Sequence, residues 1–399
     1  MANTVQRPVA LVVFALVGAF LSWEIVSSQM STDMQTSNPR AALQWRTDEP
    51  RAWATAGERA FRAGDLPRAA RYARHAIARS PIEAHAYTVL GKVAFANGEA
   101  ERSSRLLMFA GGLTRRDAAT SYALYRQSMA AGDYKTAFFH ADALMRRAPS
   151  STGVIMPELA GAASNPAAVA PLVERLAAKP AWRLDFVRLL ADTAPTSTTL
   201  AVLQGLARSK APPTADEASL LLMKMMRAGQ QAAAYDAWLG LLPAEARPAD
   251  RGVYDGQFRR AEGPQPFGWR LLRSAAAEAQ LTPQSGAGLQ VQTDNSARSP
   301  VARQFLTLPP GGYRLSSRAE MVEGTHAWLE WRVSCREGPT LLQAPLRVGT
   351  AGGVADAQFA IPADCGVQQL TLSALAGERS STAFVRVAHV AIQPLRGAP

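Results

Sequence analysis

The sequence predicts a multidomain α + β protein: an N-terminal transmembrane helix, an α-solenoid of paired helices, and a C-terminal antiparallel β-sandwich. Three observations predict it. An apolar run occupies residues 9–26, turn glycines and small residues recur every 34 residues between Pro50 and Pro149, and short strand-like runs fill the last third. The expected segments are 1–30 (signal anchor or signal peptide), 40–150 (repeats), 151–247 (degenerate helical repeats), 248–268 (a linker leading into the sandwich) and 269–399 (the sandwich).

The N-terminal segment carries Arg7 before the apolar run and no basic cluster just after it. That asymmetry predicts a cytoplasmic N-terminus and a single pass through a bacterial inner membrane, with the bulk of the chain periplasmic. The run of about 18 residues is short for a span, and Trp23 would sit at interface depth. The alternative is a signal peptide cleaved near Ser28, after which the chain would be secreted to the periplasm.

Formal net charge is +11, but arginine greatly outnumbers lysine, alanine is abundant, and the basic residues are spread along the chain. GC-rich coding accounts for that bias, so charge alone names no partner, and nucleic acid is not expected.

Gly64, Gly98 and Gly132 stand 34 residues apart, followed by Asp65, Glu99 and Asp133; Pro81 and Pro149 are two periods apart with Arg115 between, and Trp53 and Tyr87, Gly57 and Gly91, and Ala76 and Ala110 are one period apart. In the first copy Gly57, Ala69 and Ala76 leave room for two helices to cross closely. Gly64 allows the turn, Asp65 can cap the next helix, and Pro67 lies in its first turn. With Trp53 and Pro81 at the large and proline positions, this copy resembles the tetratricopeptide repeat family. That resemblance implies a surface for protein partners lined by the first helix of each pair. The lining residues it suggests are Thr55, Arg59, Arg62, Thr88 and Lys92.

On the second helix of the first pair, Ala69, Ala73, Ala76 and Ile77 share one face, while Arg68, Arg71 and Arg74 form a stripe on another. No aromatics interleave with the stripe, so it reads as a solvated face. Residues 154–247 continue as helices with proline stops, and Met223, Met225 and Met226 alternate with leucines as core filling.

Beyond a linker rich in glycine, proline and aromatics, seven or so short strand-like runs argue for two packed sheets. In HAWLEWRVSC, Leu329, Trp331, Val333 and Cys335 share the inward face, leaving Trp328, Glu330 and Arg332 outward. Cys335 and Cys365, the two cysteines of the chain, are expected to form one disulfide. Tyr254-Asp255-Gly256-Gln257-Phe258, Phe267-Gly268-Trp269 and the turn Pro310-Gly311-Gly312-Tyr313 resemble the opening motif, tryptophan segment and turn of jelly-roll carbohydrate-binding modules. Asp255 stands where that family has asparagine, and no glutamate follows Phe258. The resemblance implies a jelly-roll-like sandwich and makes polysaccharide a second partner class, with Trp328, Glu330 and Arg332 as its candidate contacts.

The five histidines are scattered, and no hydrolase, phosphate-loop or zinc motif occurs. Catalytic, cofactor and metal residues are therefore expected to be none. Glu320, Glu323, His326 and Glu330 read as a turn with solvated acids. The expected role is a non-enzymatic, membrane-anchored scaffold in bacterial exopolysaccharide or cell-envelope assembly. An envelope assembly or quality-control factor whose sandwich binds only protein is the alternative, and a glycoside-active enzyme the third reading.

Overall fold

The computed structural model describes residues 6–114, 118–248, 251–260, 263–282, 286–377 and 381–395, with side chains from Phe14 onward. Residues 1–5 of the expected anchor segment and Arg115 of the repeat pattern lie outside the described residues. The chain forms two compact units, and the division falls after Leu159.

The first unit holds α1 (Gln6–Met34), α2 (Pro39–Trp45), and three helix pairs: α3 (Pro50–Arg62) with α4 (Leu66–Arg79), α5 (Ala84–Ala96) with α6 (Ala100–Leu113), and α7 (Ala118–Ala130) with α8 (Tyr134–Arg147). The first helices of the three pairs begin 34 residues apart. Gly64, Gly98 and Gly132 turn each pair with φ of +80°, +80° and +72°, a region open to glycine because it lacks Cβ. The Asp65 and Asp133 carboxylates accept from the amides of Arg68 and Thr136 at the following helix starts. At the α3–α4 crossing, a Cβ on Gly57 would come 3.2 Å from the carbonyl oxygen of Ala69. Close helix approach is thus written into the small residues. Arg68, Arg71 and Arg74 are exposed.

The N-terminal helix corrects an expectation. No helix among the described residues is long and apolar enough to cross a membrane. This overturns the transmembrane helix over residues 9–26 and the single-pass inner-membrane placement built on it. The apolar run is one part of a longer helix, Gln6–Met34, that continues into polar residues. Glu24 ion-pairs with Arg46 at 3.0 Å, Trp23 packs 5.9 Å from Trp45, and Ser27 and Ser31 are buried. Ser28, the alternative cleavage point, lies inside the same helix.

After α9 (Thr152–Ala162), which spans the division, the second unit continues with α10 (Pro166–Ala177), α11 (Arg183–Thr193), α12 (Thr196–Ala207), α13 (Ala215–Arg227) and α14 (Gln231–Leu241). Arg183 and Glu217 form a buried two-point ion pair at 2.7 and 2.6 Å. The remaining guanidinium donors reach the carbonyls of Leu176, Ala211 and Pro212. Met225 and Met226 are buried in the helical core.

Ten strands follow among the described residues: β1 (Arg270–Leu271), β2 (Ala277–Leu281), β3 (Leu289–Thr293), β4 (Ser299–Leu306), β5 (Gly311–Glu323), β6 (His326–Cys335), β7 (Thr340–Gly349), β8 (Gly353–Ile361), β9 (Gln368–Ala374) and β10 (Ala383–Pro394). They form two antiparallel five-stranded sheets, ordered β1-β4-β9-β6-β7 and β2-β3-β10-β5-β8. β1 and β2 were absent from the strand-like runs. β1 is two residues long, and AEAQL in β2 is helix-forming in composition, so pairing with β3 overrides local propensity.

Leu329, Trp331 and Val333 point between the sheets with Leu370 and Leu372. The Trp331 indole donates across the gap to the Ser317 hydroxyl at 2.9 Å, and that hydroxyl donates to the His389 carbonyl. This satisfies a polar group that burial would otherwise leave stranded. Cys335 and Cys365 are joined in a disulfide. Gln304 accepts from the Tyr254 amide and donates to its carbonyl, and Tyr254 packs edge-on against Trp238 of α14, so the helical part of this unit is seamed to its sandwich.

Candidate functional site

In the first unit, α3, α5 and α7 present residues one repeat period apart to a groove of about 600 Å³. Phe61 and Phe95 are period-equivalent, and Tyr122 follows on α7. Phe95 and Tyr122 remain 46% and 40% exposed, while Leu107 and Leu144 close the floor. A concave strip of large apolar side chains that stay half in water invites an apolar occupant.

Glu58, Lys92 and Arg126 also share one repeat position and line the same groove. Lys92 donates to both Glu58 oxygens at 3.0 and 2.9 Å, and Arg62 adds a bond of 3.1 Å. Burial pushes the Glu58 carboxyl up, but Lys92, His85 and Arg62 together outweigh it and hold the group below its ordinary value. Arg126 pairs with Glu158 at 3.3 Å, and Tyr125 donates to the same carboxylate at 2.7 Å. Burial and that carboxylate raise the phenol. Gln127 donates to the Ala100 carbonyl, whereas its own amide oxygen is buried and accepts nothing among the described residues.

Of the five residues named for this surface, Arg62 and Lys92 line the groove. Thr88 is buried, donating to the Ala84 carbonyl and sharing a hydrogen bond with Thr120. Thr55 donates to the Arg51 carbonyl, and Arg59 reaches the Ser37 carbonyl in the α1–α2 loop. Sequence reasoning passed over Glu58, Phe61, Phe95, Tyr122 and Arg126. The 34-residue period that found the glycines could have found Glu58, Arg126, Phe61 and Phe95, since 58, 92 and 126 are one register and 61 and 95 another, but not Tyr122, whose equivalent one repeat earlier is Thr88.

On the sandwich, Trp328 is half-buried. The Arg347 guanidinium lies 4.7 Å from the centre of its ring, and a Cβ on Gly377 would sit 3.0 Å from its edge. Glu330 is buried and held by both arms of Arg298 at 2.8 and 3.1 Å, with Arg332 at 3.3 Å. The ring face and the carboxylate are therefore both occupied. Arg332 retains a donor, its Nε, which has no acceptor among the described residues. Glu320 of β5 pairs with Arg386 of β10, on the opposite sheet from Glu330, so these carboxylates do not share a cleft. Among the described residues no group of three histidines, cysteines or carboxylates could hold a metal ion.

No family model matches the chain, and no curated protein does. Solved structures similar to its helical half include tetratricopeptide repeat proteins, and those similar to its sheet region include carbohydrate-binding modules. YrrB, described as a TPR protein with an unusual peptide-binding site, is 12% identical and covers 51% of this chain and 90% of its own, with a TM-score of 0.28. TmCBM61, solved with β-1,4-galactotriose, is 18% identical over 37% of this chain and 97% of its own, with a TM-score of 0.25. The N-terminal cellulose-binding domain of Cellulomonas fimi β-1,4-glucanase C is 17% identical over 38% and 99%, with a TM-score of 0.24. Scores this low give these likenesses no weight as to function.

Proposed function

We propose that the chain is a non-enzymatic scaffold: the helical repeats hold a polypeptide partner, the sandwich engages a glycan, and the process served is exopolysaccharide or cell-envelope assembly. The observation that carries the reading is the groove, in which one repeat register supplies Phe61 and Phe95 and another supplies Glu58, Lys92 and Arg126. Its walls are helices and its charges are already paired, so it is pre-formed and loses little freedom when a partner enters. The glycan part draws on the outer face of the β6 sheet, where Arg332 stands in register with Thr371 and Gln343. The separation of Glu320 from Glu330 favours binding over glycoside cleavage, which needs two carboxylates across one bond.

Selection of a displayed peptide library on the full-length chain tests the groove. Selected peptides should bind Phe95→Ala and Tyr122→Ala chains at least about tenfold more weakly, since each substitution removes a large buried contact on binding. Peptides that bind both variants as well as the parent would overturn the proposal.

A further inference from the structure

The outer face of the β1-β4-β9-β6-β7 sheet carries a charge imbalance that the rest of the sandwich does not. Its five strands contain Arg270, Arg303, Arg332 and Arg347 and a single acid, Glu330. That acid is already held by Arg298 and Arg332. The other sheet carries Arg314, Arg318 and Arg386 against four acids, Glu278, Glu320, Glu323 and Asp356, with Arg314 paired to Asp356 and Arg386 to Glu320. Arginines number four on this sheet and three on the other, so the imbalance comes from the acids, one here against four there.

Register turns the excess into a line. Arg270 pairs with Arg303, Arg303 with Thr371, Thr371 with Arg332, and Arg332 with Gln343. Paired residues share a face, so these five side chains form one row across all five strands, about 19 Å long at the usual strand spacing. Within it Arg270 and Arg303 are direct cross-strand neighbours, an arrangement of like charges that is destabilising unless an anion sits between them. Among the described residues neither has an acidic partner. Burial and the Arg270 charge together lower the Arg303 pKa.

We propose that this row binds an acidic polysaccharide, its carboxylates held by Arg270, Arg303 and Arg332 and its hydroxyls by Thr371 and Gln343. The inference rests on the glycan part of the proposed function and adds the chemical class. Guanidinium forks suit carboxylates, and the alternation of cations with hydroxyl and amide groups suits a polymer that alternates carboxylate with hydroxyl. An acidic polypeptide fits less well. The row offers mostly donors, so a peptide crossing the strands would leave its own N–H groups without acceptors.

The test is titration of the full-length chain with polygalacturonate, its methyl ester and polyglutamate at about 0.15 M salt, where long-range charge effects are screened. Polygalacturonate should bind, with both other polymers weaker by at least about tenfold, the scale of a charge-assisted hydrogen bond. Arg303→Gln and Arg332→Gln should each lose a similar factor, and Arg303→Lys should recover part of it. Arg318→Gln, which removes one charge from the other sheet, should bind like the parent. Equal losses in Arg303→Gln and Arg318→Gln would reduce the effect to net charge and overturn the inference. Polyglutamate binding as tightly as polygalacturonate would overturn it in favour of an acidic protein. Equal binding of the methyl ester would end the acidic class while leaving the glycan reading standing, and no binding to either saccharide would remove both.

Discussion

Lys92 donates to both carboxylate oxygens of Glu58, the residue at the same position one repeat earlier. The pair ties α3 to α5 at the wall of the groove, with side chains only 16% and 9% exposed. The carboxyl of Glu58 is held below its ordinary value of 4.5, so its stabilisation is full above about pH 4.5 and is lost as pH falls through the depressed value. Lys92→Met should therefore destabilise the first unit by on the order of 2–3 kcal/mol near neutral pH, the low end for a broken buried pair because Arg62 remains. Hydrogen exchange of α5 should show the loss near neutral pH and little difference from the parent well below pH 4. An equal loss at both pH values would contradict the assignment.

Gly91 is fixed by packing. A Cβ there would lie 2.7 Å from Cγ of Leu107, which is itself buried. Gly91→Val should cost about 2 kcal/mol, because overpacking outweighs the helix propensity gained. Denaturant unfolding followed on the first unit reads this directly, and a neutral result would mean that α5 and α6 are not in such close contact.

Arg183 and Glu217 repeat the same logic in the second unit, with every guanidinium arm occupied. Arg183→Met alone should cost roughly 3–5 kcal/mol, whereas Arg183→Met with Glu217→Leu should be milder, since it leaves no buried charge unpaired. A double variant as unstable as the sum of the single ones would show the two residues to be uncoupled.

The Cys335–Cys365 bridge closes a segment with a sequence separation of 30 residues. Cys365→Ser should lower the stability of the sandwich by about 3–4 kcal/mol on loop-closure grounds. Thiol titration of the denatured, unreduced chain should find no free thiol; two would contradict the bridge.

The helix pairs were legible because one signal, the 34-residue recurrence of Gly64, Gly98 and Gly132, fixes turn, spacing and crossing together. The inward set Leu329, Trp331 and Val333 was legible from strand alternation alone. The N-terminal helix misled because its apolar run, short for a span, gives way within the same helix to Glu24, Ser27, Ser28, Gln29 and Ser31, and no helix among the described residues is long and apolar enough to cross a membrane. The contacts that close off Trp328 and Glu330 come from Arg347 and Arg298, neighbours only after β7 and the start of β4 are brought to β6. The arginine row was hidden for the same reason. Its members come from five strands in the order β1-β4-β9-β6-β7, and nothing local in the chain encodes that order.

The most direct test of the scaffold account is photocrosslinking from the groove. A photoreactive phenylalanine analogue is placed at position 122 of the full-length chain, with position 71 on the exposed arginine stripe as the control. The account predicts a discrete polypeptide adduct from position 122 in the native host, abolished by Phe95→Ala and absent from position 71. Adducts of equal yield from both positions, or an adduct at 122 that survives Phe95→Ala unchanged, would contradict it.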